Sequence, residues 1–200
     1  MKFIGITGGV GAGKSEILHF LREHYRATVV LADDVAKDLM KPGSPYWSQV
    51  VEALQVEESQ ILCEDGTMNR VVMAQVMFAD EKKRLAVNAV VHPAVKDTVL
   101  QMVEQQKRDG DKQYFFLEAA LLIEDHYDEI CDELWYIHTD QQIRRDRLKA
   151  SRGYTDEKID QILARQLPEE TFREKCKVVI DNSGDLQESF AQIEEVLDKQ

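Results

Sequence analysis

The sequence predicts an α/β fold of the P-loop NTPase type, a three-layer arrangement in which a five-stranded parallel sheet carries helices on both faces. The first reason is a glycine-rich segment, residues 8–15, that fits the phosphate-binding pattern G-x-x-x-x-G-K-[ST]. A short apolar run precedes this segment and a helical apolar spacing follows it. The second reason is a set of further apolar runs, each followed by a helical pattern, as expected for strands buried on both faces.

The strands are predicted at five apolar segments. The gap between the second and third carries helical periodicity, so we predict a helical insertion over about 36–110. Within it, Pro93 is predicted to begin a new helix, since the residue before a proline avoids the helical region. The insertion either docks a second substrate or only covers the sheet. The strands lie at 2–7, 27–32, 113–118, 133–138 and 177–181, and the helical stretches of the insertion lie near 46–55, 69–79 and 81–107.

A charged helical lid is predicted over about 141–172. Its arginines are numerous for an acidic chain, and they either pair with acids on a solvated helix or bring one or two guanidinium groups over phosphates. Asp185, with Glu188 three residues on, resembles a capping box and predicts a last helix over about 186–198. The arginines of this region are Arg144, Arg145, Arg147, Arg152 and Arg165.

The composition indicates a globular protein of one domain, with 44% hydrophobic and 31% charged residues in a chain of 200. Its net charge of −12 argues against general binding of nucleic acid or of anionic membranes, which needs a basic face. Apolar runs stay well short of the ~18 residues of a membrane span. Three cysteines without a C-x-x-C pair favour a reducing compartment, and the N-terminus has no leader pattern. We therefore expect a cytoplasmic protein.

The glycine-rich segment places main-chain N–H groups and a helix N-terminus around one point, which makes an anion site. In such a site Lys14 reaches the outer phosphates of a nucleoside triphosphate and the Ser15 hydroxyl ligates Mg²⁺. The pattern alone does not distinguish a kinase from a switch GTPase or a motor. The N-K-x-D element that reads guanine is absent from the sequence, so guanine specificity is not expected.

Two carboxylates end predicted strands, at the sheet edge where parallel α/β folds bind ligands. Asp33 ends the second strand, and it either acts on an acceptor hydroxyl or caps the helix that follows. Glu118 ends the third strand, and it either organises Mg²⁺ or is a solvated or helix-capping side chain. The residues by themselves leave both alternatives open.

Taken together, six segments resemble the dephospho-CoA kinase family nearly end to end. The first is common to phosphate-loop proteins, but the order and spacing of the whole set are far more specific. The segments are 4–15, 32–36 for D-A-D-x-x-A, 65–70 for D-G-x-x-x-R, 87–93 for L-x-x-I-x-H-P, 118–124 for D-x-P-L-L-F-E and 179–184 for V-I-D-N-x-G.

The resemblance implies that Mg-ATP phosphorylates the ribose 3′-hydroxyl of dephospho-CoA, giving CoA in the last step of its biosynthesis. It implies a nucleotide core, a helical CoA-binding insertion and a mobile lid. By position, Asp33 orients or deprotonates the 3′-hydroxyl, and Lys14 holds the ATP phosphates. The implied metal ligands are Ser15 and Glu118. The implied nucleotide-binding residues are Gly8, Gly9, Val10, Gly11, Ala12, Gly13, Lys14, Ser15, Glu16 and Asn182, the last of them near the adenine.

The chain departs from the family pattern in the D-A-D segment and in the lid. Leu31 replaces the first aspartate, which leaves Asp33 as the one candidate base of that pair. Ser151 stands where the arginine of R-D-G is usual. The lid arginine that assists catalysis is therefore predicted to be Arg147 or Arg152.

Two further departures affect single sites. Glu16 stands where threonine is commoner and adds a negative charge to the first helical turn, while Glu118 and Ala120 replace aspartate and proline. None of them removes a part that the chemistry requires. Two other functions stay open: a kinase for another small hydroxyl acceptor, such as a nucleoside or nucleotide, and a regulatory nucleotide-binding module without catalysis. The expected partner is a small molecule, bound by a monomer or a weak homo-oligomer.

Overall fold

The computed structural model describes residues 1–199. The chain divides into two compact units. One consists of Met1–Val30 and the segment from Asp109 onwards, and it contains the phosphate loop. The other is Leu31–Arg108, which is helical and includes nearly all of the segment for which an insertion is predicted.

A five-stranded parallel sheet with helices on both sides confirms the predicted fold class. The strand order is β2-β3-β1-β4-β5, so β1 lies in the middle of the sheet with β3 and β4 as its neighbours. The register places Ile6 of β1 beside Glu118, the last residue of β3, and Thr7, the last residue of β1, beside Tyr136 of β4. The strands are β1 Lys2–Thr7, β2 Ala27–Leu31, β3 Tyr114–Glu118, β4 Glu133–His138 and β5 Val178–Asp181.

Apolar side chains of the central strands make the core of the sheet. Phe115, Phe116 and Leu117 on β3 are fully buried, as are Trp135 and Ile137 on β4. Strands buried on both faces need apolar residues at consecutive positions, which explains why these runs do not alternate.

The first helix, α1 Lys14–His24, follows the phosphate loop directly. Its buried residues Ile17, Leu18, Phe20 and Leu21 recur at helical spacing and cover one face of the helix. Phe20 stacks on Phe190 of the last helix, α9 Leu186–Asp198, with ring centres 4.0 Å apart. This packing fixes the helix whose N-terminus ends the loop.

The unit Leu31–Arg108 is built mainly from four α-helices, and the bounds of the last one correct a prediction. Pro93 does not begin a helix but lies inside one that is 29 residues long. Proline removes one main-chain hydrogen bond there. Val91, Ala94 and Val95 are buried on both sides of it, and their packing keeps the helix continuous. The helices are α2 Ala32–Leu39, α3 Trp47–Leu54, α4 Arg70–Ala79 and α5 Glu81–Asp109.

Three helices follow β4 in the region predicted as a lid: α6 Gln141–Arg152, α7 Asp156–Leu163 and α8 Glu169–Lys175. Gly153, with φ 61°, ends α6, and the Thr155 side chain caps α7. Asp185 is the N-cap residue of α9, and its side chain accepts a hydrogen bond from the N–H of Gln187 over 2.8 Å. Within residues 1–199, none of the helices is long and apolar enough to cross a membrane.

Candidate active site

The phosphate loop, residues 8–13, connects β1 to α1 and is closed by a main-chain hydrogen bond. The N–H of Ala12 donates to the carbonyl of Gly9 over 3.1 Å. Gly13 has φ 80°, in the left-handed region that favours glycine, and is the N-cap residue of α1. The chain can therefore turn into a helix at Lys14, and the first-turn N–H groups lie at the end of the loop. This arrangement is suited to bind an anion.

The Lys14 ammonium is held at the loop by two oxygens. Its Nζ donates to the carbonyl of Gly8 over 2.7 Å and lies 3.4 Å from Glu118 Oε1. Both side chains are 16% exposed, so the pair is largely shielded from water while still open to a ligand. Glu118 ends β3 opposite Ile6 of β1, and this register brings the carboxylate to the lysine. The lysine of the phosphate-binding segment and the carboxylate predicted at the end of the third strand thus form one charged pair.

Ser15 and Glu16 are exposed in the first turn of α1. Across the part of the chain that the structure describes, no group of three or more His, Cys, Asp or Glu side chains could hold a metal ion. Mg²⁺ does not need such a group, because it keeps several waters and binds one or two protein oxygens together with substrate phosphates. The Ser15 hydroxyl adjoins Lys14 in sequence and the Glu118 carboxylate adjoins it in space. These oxygens are ligands of the kind that Mg²⁺ requires.

Asn182 joins the end of β5 to the phosphate loop. Its Nδ2 donates to the carbonyl of Ala12 over 2.8 Å, and its Oδ1 accepts from Ser189 Oγ over 2.9 Å. A β carbon added to Gly13 would lie 2.4 Å from that Nδ2, so the amide rests directly on the glycine. The side chain is 2% exposed and is engaged at both ends by the protein. The structure therefore gives Asn182 a role in holding the loop, and its contact with adenine stays a prediction.

Arg147, one of the two predicted lid arginines, extends from α6 to the loop. Its Nη2 donates to the carbonyl of Asn182 over 3.0 Å, and its Nη1 would lie 3.3 Å from a β carbon added to Gly13. This Nη1 is buried and has no hydrogen-bond partner within residues 1–199. A buried donor without a partner is costly, and an anionic oxygen beside Gly13 would remove that cost.

Arg152, the other candidate, lies at the C-terminal end of α6. It is exposed, and its guanidinium carbon lies 5.9 Å from the ring centre of Tyr154. It forms no hydrogen bond with the phosphate loop in the described part of the chain. The structure thus brings Arg147 rather than Arg152 to the loop.

Arg144 lies on the same helix. The sequence placed it among five arginines of the lid but did not make it a candidate for catalysis, yet its guanidinium contacts the loop. Its Nε donates to the carbonyl of Val10 over 3.0 Å, and its Nη2 donates to Gln166 Oε1. A β carbon added to Gly9 would lie 2.2–2.6 Å from the guanidinium, so the guanidinium rests directly on the glycine. The cluster of arginines signalled a cationic helix, but which of them faces the loop depends on how α6 packs.

A cavity of about 410 Å³ lies among α6, α7 and α8, beside Arg144 and Gln166. Its apolar side includes Tyr136 and Phe172, whose rings stack with centres 4.8 Å apart. Burial raises the pKa of the Tyr136 hydroxyl and lowers the pKa of the Arg144 guanidinium. The helices of the predicted lid therefore border a pocket, and one of its lining residues, Arg144, also contacts the loop.

Asp33 lies in the first turn of α2, in the unit Leu31–Arg108. The alternative that it caps this helix is wrong, because the N-cap residue is Leu31 and no side chain caps the helix there. Asp33 is exposed, and its neighbour Asp34 is also exposed and pairs with Lys37 over 2.7 Å. Its predicted role as the base that serves the acceptor stays a prediction.

Comparison with known proteins agrees with the geometry of the loop. A model of the dephospho-CoA kinase family matches residues 2–188, nearly the whole chain. The chain belongs to the dephospho-CoA kinase family. Membership of this family makes the chain a kinase, with ATP as the phosphate donor.

Individual dephospho-CoA kinases also match nearly the whole chain. The dephospho-CoA kinase of Geobacter sulfurreducens is 33% identical over 196 residues, which cover 98% of this chain and 97% of the relative. That of Symbiobacterium thermophilum is 32% identical over 194 residues, which cover 97% of this chain and 79% of the relative.

Solved structures share the fold. TT1252 from Thermus thermophilus matches with a TM-score of 0.78 at 25% identity. The match covers 99% of this chain and 97% of TT1252. The dephospho-CoA kinase from Campylobacter jejuni has a TM-score of 0.73 at 16% identity, with coverage of 100% and 97%. Both structures therefore share the overall fold of this chain.

Proposed function

We propose that this chain transfers the γ-phosphoryl group of ATP to the ribose 3′-hydroxyl of dephospho-CoA. The observation that carries the proposal is the Lys14 ammonium, held over the phosphate loop between the Gly8 carbonyl and Glu118. A preorganised cation beside a helix N-terminus stabilises the charge that develops on a transferring phosphoryl group. Membership of the dephospho-CoA kinase family supports the choice of acceptor.

Each residue then has a role in the transfer. The loop amides and Lys14 hold the triphosphate, and Arg147 supplies the unpaired Nη1 beside Gly13. Ser15 and Glu118, the second acting directly or through water, would hold Mg²⁺, which supplies positive charge to the β- and γ-phosphates when bound. Asp33 orients the 3′-hydroxyl or accepts its proton as the oxygen attacks phosphorus.

The test is to incubate the purified protein with Mg-ATP and a panel of acceptors, followed by mass spectrometry of the products. We expect dephospho-CoA to gain one phosphate, at the 3′-hydroxyl, while adenosine and a mononucleotide do not. Phosphorylation of a nucleoside with dephospho-CoA left unchanged would indicate another small-molecule kinase. Binding of ATP with no acceptor consumed would indicate a regulatory module.

A further inference from the structure

Arg144 is a half-buried positive charge without an ion-pair partner among the described residues. Within residues 1–199 no carboxylate forms an ion pair with it, and Glu169 acts on it only through a longer-range field. The next residue, Arg145, differs because its guanidinium pairs with both Asp156 and Asp160. Removing a charge from water without a counter-charge is unfavourable, so a ligand anion at Arg144 would lower the free energy of the bound state.

The position of the Arg144 guanidinium indicates which ligand it can bind. The guanidinium covers Gly9 and donates to the carbonyl of Val10, both in the phosphate loop. Gln166, which follows α7, accepts a hydrogen bond from Nη2 and so fixes the plane of the group. A guanidinium offers five N–H donors, and these two hydrogen bonds use two of them. The remaining donors lie beside a loop suited to a nucleotide triphosphate.

We propose that Arg144 binds the outer phosphates of the nucleotide directly, and that Gln166 positions it for this contact. The proposal rests on the proposed function and adds to Arg147 a second phosphate-binding charge on α6, from a residue outside the family's motif. Ser151 stands where that motif has an arginine, and Arg152 lies over Tyr154 instead of at the loop. Arg144 supplies from an earlier turn of the same helix the charge that Ser151 lacks.

The test compares nucleotides that differ in their outer phosphates. Affinities of Mg-ATP, Mg-ADP and AMP are measured by calorimetry for the wild type, Arg144→Ala and the matched control Arg145→Ala. We expect Arg144→Ala to bind ATP about 10- to 100-fold more weakly, the scale of a charged hydrogen bond, with AMP affinity nearly unchanged. Arg145→Ala, which loses the same charge one residue away, should keep its ATP affinity. An equal loss for ATP and AMP in Arg144→Ala, or no loss, overturns the proposal.

Gln166→Ala tests the positioning role. Gln166→Ala should weaken ATP binding by a smaller factor than Arg144→Ala does. In the double variant it should add little further loss, because Gln166 acts through the arginine. Fully additive losses contradict that role. Should Arg144→Ala fail to fold, a crystal of the wild type with Mg²⁺ and a non-hydrolysable ATP analogue decides: a guanidinium nitrogen bonded to a β- or γ-phosphate oxygen supports the proposal, and one out of reach of both rejects it. Neither readout uses an acceptor, so a failure of the dephospho-CoA reaction remains a separate result.

Discussion

The side-chain amide of Asn182 donates a 2.8 Å hydrogen bond to the carbonyl of Ala12, 170 residues earlier in the chain. The last strand of the sheet thereby holds the phosphate loop that follows the first strand. The Arg147 guanidinium adds to this connection by donating to the carbonyl of Asn182. The conformation of the loop is thus maintained from outside the loop as well as by its own glycines.

Replacing Asn182 should therefore affect both stability and nucleotide binding. Asn182→Ala removes the buried hydrogen bonds of the amide to the Ala12 carbonyl and to the Ser189 hydroxyl, and we expect the free energy of unfolding to fall by about 1–3 kcal/mol. Denaturant unfolding measures this change, and titration with ATP should show weaker binding. The exposed Gln187→Ala serves as a control. Unchanged stability in Asn182→Ala would contradict the clamping role.

Two glycines of the loop, Gly13 and Gly9, should differ in their tolerance of alanine. At Gly13 a β carbon meets Asn182 Nδ2 at 2.4 Å, and the φ of 80° is unfavourable for alanine. At Gly9 the obstacle is the end of the flexible Arg144 side chain, which can move. We expect Gly13→Ala to be less stable than Gly9→Ala by about 1–2 kcal/mol or more, from denaturant unfolding of both. A larger loss in Gly9→Ala would argue against this reading of the loop.

Removing the Lys14 ammonium should reduce turnover while the protein stays folded. Lys14→Ala loses a preorganised charge at the transferring phosphoryl group, so we expect kcat to fall by about 10²–10³-fold. Steady-state kinetics with saturating ATP and dephospho-CoA measure kcat. Lys199→Ala, which loses an exposed partner of Glu195, is the control. Near-normal turnover in Lys14→Ala would mean that the phosphates bind elsewhere.

Asp33 and Asp34 form a natural pair for testing the predicted base, since both are exposed aspartates in the first turn of α2. Asp33→Asn should lower kcat by about 10²–10⁴-fold, the range for general base catalysis, with ATP affinity unchanged because the side chain serves the acceptor. Asp34→Asn should lose only its exposed ion pair with Lys37 and keep its rate. Equal rates in the two variants would remove Asp33 from the mechanism.

Buried titratable groups predict a loss of stability in alkali. Burial raises the pKa of the Cys176 thiol from 9.0 to about 12 and that of Tyr127 from 10.0 to about 12. Above pH 9 the unfolded chain releases these protons before the folded chain does, so stability present below pH 9 is lost as the pH rises towards 12. Unfolding measured across this range should show the decline, with a smaller one in Cys176→Ala.

The same burial protects Cys176 from modification. Only the thiolate is nucleophilic, and a raised pKa leaves almost none of it at pH 8. A thiol reagent at that pH should label the exposed Cys63 first and reach Cys176 only on denaturation. Rapid labelling of Cys176 in the native protein would show that this segment opens.

Much of the fold could be predicted because its signals are local. The phosphate-binding pattern is a run of eight neighbouring residues, 8–15, whose glycines and lysine have meaning at fixed spacing. The buried strands are each a few consecutive apolar residues, and so all five were found to within a residue of their ends. Asp185 likewise predicted the start of α9, because its capping hydrogen bond joins residues only two positions apart.

What the sequence by itself determined is therefore the phosphate-binding segment, the parallel sheet and the family pattern of motifs. Tertiary structure decided that α5 continues through Pro93, that Asn182 clamps the loop, and that Arg144 and Arg147 rather than Arg152 reach it. The physical reason is distance along the chain. The hydrogen bond from Arg144 to Val10 joins residues 134 positions apart, and packing alone selects which face of α6 turns towards the loop.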